Sequence, residues 1–262
     1  MDKKTLSISI ITPTLNASKY IQKCLSSVSN QKGVIVEHII IDGGSIDNTV
    51  FLANEHGAKV FVLKDSSIYE ALNYGVSIAK AKVVGFLNCD DYYHSFMTLK
   101  MVIDSFGVED DIDIVYGNCR FVDSSGIHLY RLIPNRNLAM WSARVRYFNI
   151  SHPSWFILKD KFYYFGEYKA SLKYVADCDF ILKALSYGAK FRYINVDLAT
   201  FVLHNANASS SSIARNEKDR SFVSWNGNSL TLYLLHYLFM AIMYLRDLSY
   251  FKYRFFRIAN GR

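Results

Sequence analysis

The sequence predicts an α/β fold: a mostly parallel sheet flanked by helices, followed by a hydrophobic and basic helical extension. Three observations carry this. Short β-branched runs alternate with helix-like segments from Ser7 to Gly117. The principal runs end in small, polar or acidic residues, all placed at one sheet edge. An apolar stretch, then aromatics interleaved with Lys and Arg, closes the chain. With 51% hydrophobic and 20% charged residues, disorder is excluded. Only three prolines and 13 glycines among 262 residues exclude collagen-like and linker-rich classes.

Each element follows from its residues. Ser7 to Thr12 reads as a buried strand stopped at Pro13, and Ser18 is the expected cap of a helix over 19–30. Val36 to Asp42 is a second strand and Asp47 to Glu55 a second helix. Lys59 to Leu63, Ile68 to Ala79, Val83 to Leu87, His94 to Phe106 and Asp113 to Tyr116 continue the rhythm. After Gly117 the pattern changes. Arg120 to Asp123 and Ile127 to Leu132 flank Ser124-Ser125-Gly126 as a hairpin. His152 to Leu158 reads as a strand, Val175 to Tyr187 as a helix closed by Gly188, and Phe191 to Ile194 as a strand. Residues 205–212 form a polar loop. The four cysteines are widely spaced, which disfavours a zinc cluster or disulfide scaffold and suits reduced thiols.

The polar strand ends are the candidate site. Asp90 and Asp91 follow a buried strand directly, and adjacent carboxylates repel unless a cation or donors neutralise them. Such a pair suits a hard ion, Mn2+ or Mg2+, shared with phosphate oxygens, or equally a helix N-cap. Asp42-Gly43-Gly44-Ser45 permits a ligand to approach the backbone, or is an ordinary strand-to-helix turn. Neither glycine pattern is a dinucleotide or P-loop fingerprint.

In order, ITPTLN, IIIDGGSID, SIYEALNYG, GFLNCDD, HPSWF and VADCDF resemble the inverting glycosyltransferases of family 2, over roughly residues 6–203. That resemblance implies the GT-A fold, a Rossmann-like sheet with residues 1–117 as nucleotide-sugar-binding half and 118–212 as acceptor-binding half. It implies a nucleotide-sugar site of Pro13, Asn16, Asp42, Ser45, Asn73 and Asp90, with Asp42 holding the uracil and Asp47 completing the turn. Asp91 is expected on the metal and Asp177 as catalytic base, with Asp179 and 166–168 in the same block. His152 and Trp155 are expected on the acceptor or sugar, and His204 is a candidate late metal ligand. Departures are Asn88 where many relatives carry Asp, Ser67 where the pattern has glycine, and Leu72 where some place a pyrophosphate arginine. Arg144, Arg146 or the basic tail are the candidates for that last role.

Ser229 to Leu245 is nearly all apolar, and is followed by Arg246, Lys252, Arg254, Arg257 and Arg262 against Asp247 alone. Seventeen residues are short for a span, and a single span would place the basic tail outside. The expectation for residues 213–262 is therefore helices on an anionic membrane surface, or packed on the enzyme or a dimer mate. The N-terminus carries no secretory signal pattern. The formal charge of +7 invites nucleic acid, but no motif supports such a partner.

These readings combine into one expectation. The chain moves a hexose from UDP-glucose or UDP-galactose, in β-linkage, to a polyprenyl-diphosphate-linked glycan, as in O-antigen or capsule assembly. It does so at the cytoplasmic face of the inner membrane. A nucleotidyltransferase would want a glycine-rich loop with lysine after strand one, which is absent. An inactive nucleotide-sugar-binding scaffold would lose the acids, and Asp42, Asp91 and Asp177 are present.

Overall fold

The computed structural model describes residues 7–107, 111–134 and 150–204, together with residues 207, 217, 231, 234 and 238. The first half follows the expected alternation: β1 (Ser7–Thr14), α1 (Ile21–Ser29), β2 (Ile35–Asp42), α2 (Thr49–Glu55), β3 (Lys59–Val62), α3 (Ile68–Ile78) and β4 (Val83–Phe86). A short β5 (Tyr92–Tyr93) and α4 (Thr98–Phe106) follow. β6 (Ile114–Asp123), β7 (His128–Leu132), β8 (Trp155–Leu158), α5 (Lys159–Phe165), α6 (Ala176–Ser186) and β9 (Phe191–Leu203) complete the described elements.

The strands form one nine-stranded sheet in the order β3-β2-β1-β4-β8-β6-β9-β5, with β7 paired to β6. β1 to β4 are parallel. β8 enters antiparallel to both β4 and β6, and β6 and β9 are parallel again. One buried cluster, including Ile11, Phe86, Trp155 and Phe180, lies under α3 and α6. Another, including Ile10, Val102, Phe121 and Phe156, lies under α1 and α4. Both faces of the sheet are thus covered, which is why its strands read as continuous apolar runs rather than alternating ones.

Several expectations change. Ser18 is not a helix cap: α1 begins at Ile21 with Tyr20 in the cap position, and the Ser18 N–H donates instead to Asp47 Oδ2 at 3.0 Å. His152–Ser154 is a 3-10 turn containing Pro153, so β8 starts only at Trp155. The aromatic run of α5, not expected as a helix, packs Phe162 and Phe165 inward. β9 runs 13 residues, far beyond Ile194, because its parallel pairing with β6 outweighs the interruptions at Asn195 and Asp197. The hairpin is present: β6 and β7 pair antiparallel. The four cysteines form no disulfide.

The segment SIYEALNYG acquires a physical reading. Ser67, where the family pattern has glycine, caps α3: its hydroxyl accepts from the Glu70 N–H at 3.3 Å and its N–H donates to Glu70 Oε2 at 2.8 Å. Gly75 lets the helix lie close on β1, since a Cβ there would stand 2.3 Å from Ile11 Cγ2. The C-terminal extension lies outside the described residues except Glu217, Thr231, Leu234 and Leu238. The last three are helical and exposed. Among the described residues, no helix is long and apolar enough to cross a membrane.

Candidate functional site

The carboxyl ends of β1 and β2 lie side by side, with Thr14 opposite Asp42. Pro13 is tolerated here because β4 pairs β1 only as far as Ile11, so no neighbour needs the missing N–H. Asp42 is buried, and its carboxylate is fully engaged. Oδ1 accepts from the N–H groups of Gly44 (3.0 Å) and Ser45 (2.7 Å). Oδ2 accepts from the hydroxyls of Thr14 (2.9 Å) and Ser45 (2.6 Å). Asn16, at φ 48°, completes the lock: its N–H donates to Ser45 Oγ and its side-chain oxygen accepts from the Ile46 N–H. Pro13, Asn16, Asp42 and Ser45 are therefore brought together in one rigid double turn. All four acceptor positions of Asp42 are taken, so an imide N–H reaches this carboxylate only by exchanging with Thr14 or Ser45.

At the end of β4 the two adjacent aspartates diverge. Asp91 is fully buried. Its Oδ1 accepts from the Val202 N–H and its Oδ2 from Asn88 Nδ2, both at 3.1 Å. Burial, and then the charge of Asp90, push its carboxyl well above the usual range. Asp90 keeps 18% of its side chain exposed, with Oδ2 at 2.9 Å from His204 Nε2 and 3.1 Å from Asn207 Nδ2. Asp91, expected on the ion, joins the Asn88 side chain to the β9 backbone, and Asp90, expected near the sugar, is the more exposed carboxylate of the two. Asn88 has a role as well, as the donor to Asp91. His204 arrives from the end of β9 and stacks on Tyr20, with ring centroids 4.7 Å apart and planes within 3°.

Would these residues hold a cation? Two adjacent carboxylates, one of them open and beside an imidazole, make a site short of positive charge. No cluster of three or more His, Cys, Asp or Glu side chains suited to a metal occurs among the described residues. Mg2+ and Mn2+ accept such partial sites when phosphate oxygens complete the shell. Asp90 with His204 therefore fits an ion that arrives with a diphosphate.

The third group centres on α6. Asp177 sits half-buried in its first turn. Val175 occupies the cap position and no side-chain cap bond is made, so Asp177 is not spent as an N-cap. The Tyr69 hydroxyl donates to Asp177 Oδ1 at 3.1 Å across 108 residues of sequence. Burial and the Asp177 charge raise the Tyr69 phenol well above its usual value, which keeps it a donor. Beside it, His152 Nε2 lies 3.1 Å from the Tyr168 hydroxyl, and burial lowers the imidazole's pKa, so this histidine is held neutral.

Two expected ligand contacts are not available. Trp155 is fully buried between Phe86 and Phe180 and offers no face to a sugar. Asn73 spends both ends of its amide on the backbone of Tyr168, at 2.8 and 3.0 Å. Tyr69 and Asn73 stand four residues apart on one face of α3. From there one orients Asp177 and the other clamps Tyr168. Sequence reading missed the roles of Tyr69, Tyr168 and Glu217. The carboxylate of Glu217 accepts from the successive N–H groups of Lys173 (2.6 Å) and Tyr174 (3.0 Å), just ahead of Asp177. Tyr69 lay inside a recognised segment, whereas nothing in the sequence around Glu217 signals its partner. Arg144 and Arg146 lie outside the described residues.

Known proteins share the family and the fold. The family model of glycosyl transferase family 2 matches residues 9–166. The PGL/p-HBAD biosynthesis glycosyltransferase of Mycobacterium tuberculosis is 30% identical over 205 residues, covering 74% of this chain and 75% of that one. The hyaluronan synthase of Pasteurella multocida is 29% identical over 245 residues, 86% of this chain but 24% of the synthase. Among solved structures, TarS of S. aureus in complex with UDP-GlcNAc superposes with TM-score 0.69 at 19% identity, over 86% of this chain and 68% of that one. The mannosyltransferase PcManGT of Pyrobaculum calidifontis, with GDP-Man and Mn2+, gives 0.63 at 12% identity, over 92% and 70%. These likenesses show the GT-A fold. The chain belongs to glycosyl transferase family 2.

Proposed function

We propose that this glycosyltransferase moves a hexose from a UDP-sugar, with inversion to a β-linkage, onto a lipid-linked glycan at the cytoplasmic face of the membrane. The observation that carries the reading is Asp177. It is a carboxylate left unspent by helix capping and oriented by Tyr69 at the carboxyl edge of the parallel strands. The donor's nucleoside goes to the double turn of Asn16, Asp42 and Ser45, and its diphosphate lies toward Asp90 and His204. TarS, solved with UDP-GlcNAc, supports a uridine donor. UDP-glucose or UDP-galactose is the specific choice, by analogy with polysaccharide-assembling relatives.

Asp177 takes the proton of the acceptor hydroxyl as that oxygen bonds to the anomeric carbon. The bond from that carbon to the diphosphate oxygen breaks on the opposite side, UDP leaves, and the configuration inverts. Asp90 and His204 would hold a divalent ion, which would supply Lewis-acid stabilisation to the leaving diphosphate. The polyprenyl diphosphate carrier sets the reaction at the membrane, where residues 213–262 provide apolar, aromatic and basic groups for an anionic surface. The test is transfer from a panel of nucleotide sugars to membranes carrying lipid-linked glycan, with Mn2+ or EDTA. Asp177→Asn is expected to lower turnover by about 10²–10⁴-fold while UDP binding is retained. Tight UDP binding with no turnover of any donor by the wild-type chain would instead identify a scaffold.

A further inference from the structure

The β6–β7 hairpin sets Arg120 and Arg131 directly opposite each other. Like charges facing across an antiparallel pair destabilise it, so this position requires compensation. Asp197 on β9 provides it: the buried carboxylate accepts from Arg120 Nε at 2.6 Å and from Arg131 Nε at 2.5 Å. One carboxylate is thereby divided between two guanidinium groups, and each group commits only its Nε. The terminal nitrogens of both bond to no described residue, and the side chains remain 42% and 40% exposed. Two planar forks with net positive charge are pinned at fixed spacing and open to solvent, and a bidentate guanidinium matches phosphate geometry.

Its place in the fold narrows the ligand. Arg120 pairs with Thr200 on β9, two residues before Val202, which holds Asp91, and four before His204, which meets Asp90. Both guanidinium groups are anchored on Asp197, five residues before Val202, so at a rise of about 3.3 Å per residue they lie roughly 16 Å along the strand from the Asp91 staple. In the sheet order, β6 and β9 lie across β4 from the double turn at β1 and β2. With the donor placed as proposed above, the pair lies on the β6–β9 side of the sheet, across β4 from the double turn. Ile127, in the turn of the same hairpin, is 64% exposed. An apolar tip next to a fixed cationic fork suits an amphiphile that carries phosphate.

We propose that Arg120 and Arg131 bind the phosphate of the acceptor's lipid carrier, with Asp197 presetting their spacing. This rests on the lipid-linked acceptor of the proposed function. The test compares two acceptors with the same terminal sugar, one on an alkyl diphosphate and one on a phosphate-free alkyl chain. Arg131→Gln leaves Arg120 to satisfy Asp197, and R120K/R131K keeps the charge while removing the planar forks. For each variant the expected result is a rise of about tenfold or more in KM for the diphosphate acceptor, the loss of one charge-assisted bond. KM for the phosphate-free acceptor is expected to stay within about twofold. Equal KM changes for both acceptors, or no change for either, would overturn the proposal. Loss of binding to phosphatidylglycerol vesicles, with the acceptor KM unchanged, would assign the pair to a headgroup and also overturn it. A wild-type chain that transfers to neither acceptor refutes the proposed function instead. In that case calorimetry with inorganic pyrophosphate still judges the arginine pair, which binds it in the wild type and at least tenfold more weakly in R120K/R131K.

Discussion

Replacing Asp197 by Asn tests the network that joins β9 to the β6–β7 hairpin. The amide keeps one acceptor oxygen for one arginine but turns an NH2 group toward the other Nε, donor against donor. A hydrogen bond to a charged group contributes about 1.5–3 kcal/mol, and two are formed here. Because both guanidinium groups are near 40% exposed, solvent screening reduces the sum. The expected loss is about 2–3 kcal/mol at pH 7, which for a chain this size is roughly 4–12 °C in melting temperature. The pH dependence has a definite sign. Burial raises the Asp197 pKa, but the bonds from Arg120 and Arg131 outweigh burial and the net shift is downward. A lowered pKa contributes stability above the unfolded value of about 3.9, and that stability is lost as pH falls through the folded value. Urea denaturation followed by tryptophan fluorescence at pH 7 and at pH 3 is the assay. The gap between wild type and D197N should be full at pH 7 and should shrink at pH 3. A gap that does not change with pH, or D197N as stable as wild type at pH 7, would refute the reasoning.

Three further outcomes follow from the geometry. Asp90→Ala and His204→Ala should each raise the Mn2+ concentration needed for half-maximal transfer by tenfold or more, the 10–100-fold range of altered metal ligation. Asp91→Ala should instead lower the melting temperature of the metal-free chain by leaving the Val202 N–H and Asn88 Nδ2 without their acceptor, and paired activity titrations and thermal melts separate the two classes. Glu217→Ala should reduce turnover several-fold with donor KM unchanged, and Glu217→Gln should recover part of it by keeping one acceptor oxygen for the 173–174 backbone; steady-state kinetics checks this. Gly85→Ala places a Cβ 2.5 Å from Phe156 Cδ1 in the centre of the sheet, and overpacking of this kind should cost about 1–3 kcal/mol in denaturant titration.

Much of the first half of the fold is legible in sequence because its signals are local. The apolar runs of β1, β2 and β4 give way to Pro13, Asp42 and Asn88, although β1 itself pairs with β2 through Pro13 to Thr14 and so runs past the stop expected there. In a sheet covered on both faces, such a stop marks the edge where ligands bind. Asp177 is singled out only by the resemblance of VADCDF to family 2, because an acid at the head of a helix reads as well as an N-cap. The remainder depends on distant pairing. Asp90 and Asp91 are chemically identical neighbours, and only the Val202 N–H, 111 residues away, decides which one is buried. Trp155 can line a site or fill a core, and the ring stack with Phe86 and Phe180 settles it in the core. Asn195 and Asp197 look like strand breakers. One engages the Tyr193–Asn118 bonds and the other the two arginines, so β9 continues through both.

This division has a mechanistic consequence. The proposed donor site is closed by contacts between neighbouring turns, such as Asn16 to Ser45, once β1 and β2 pair. The proposed reacting site is assembled from distant parts of the chain: Tyr69 reaches Asp177, Asn73 holds Tyr168, and Glu217 fixes the backbone at 173 and 174. Nucleoside binding can therefore survive damage that abolishes transfer, because the two draw on different parts of the fold. The same separation places two demands on α3. It must meet β1 closely through Gly75 and present Tyr69 and Asn73 four residues apart, so a shift of one residue would break both contacts to the acceptor half at once.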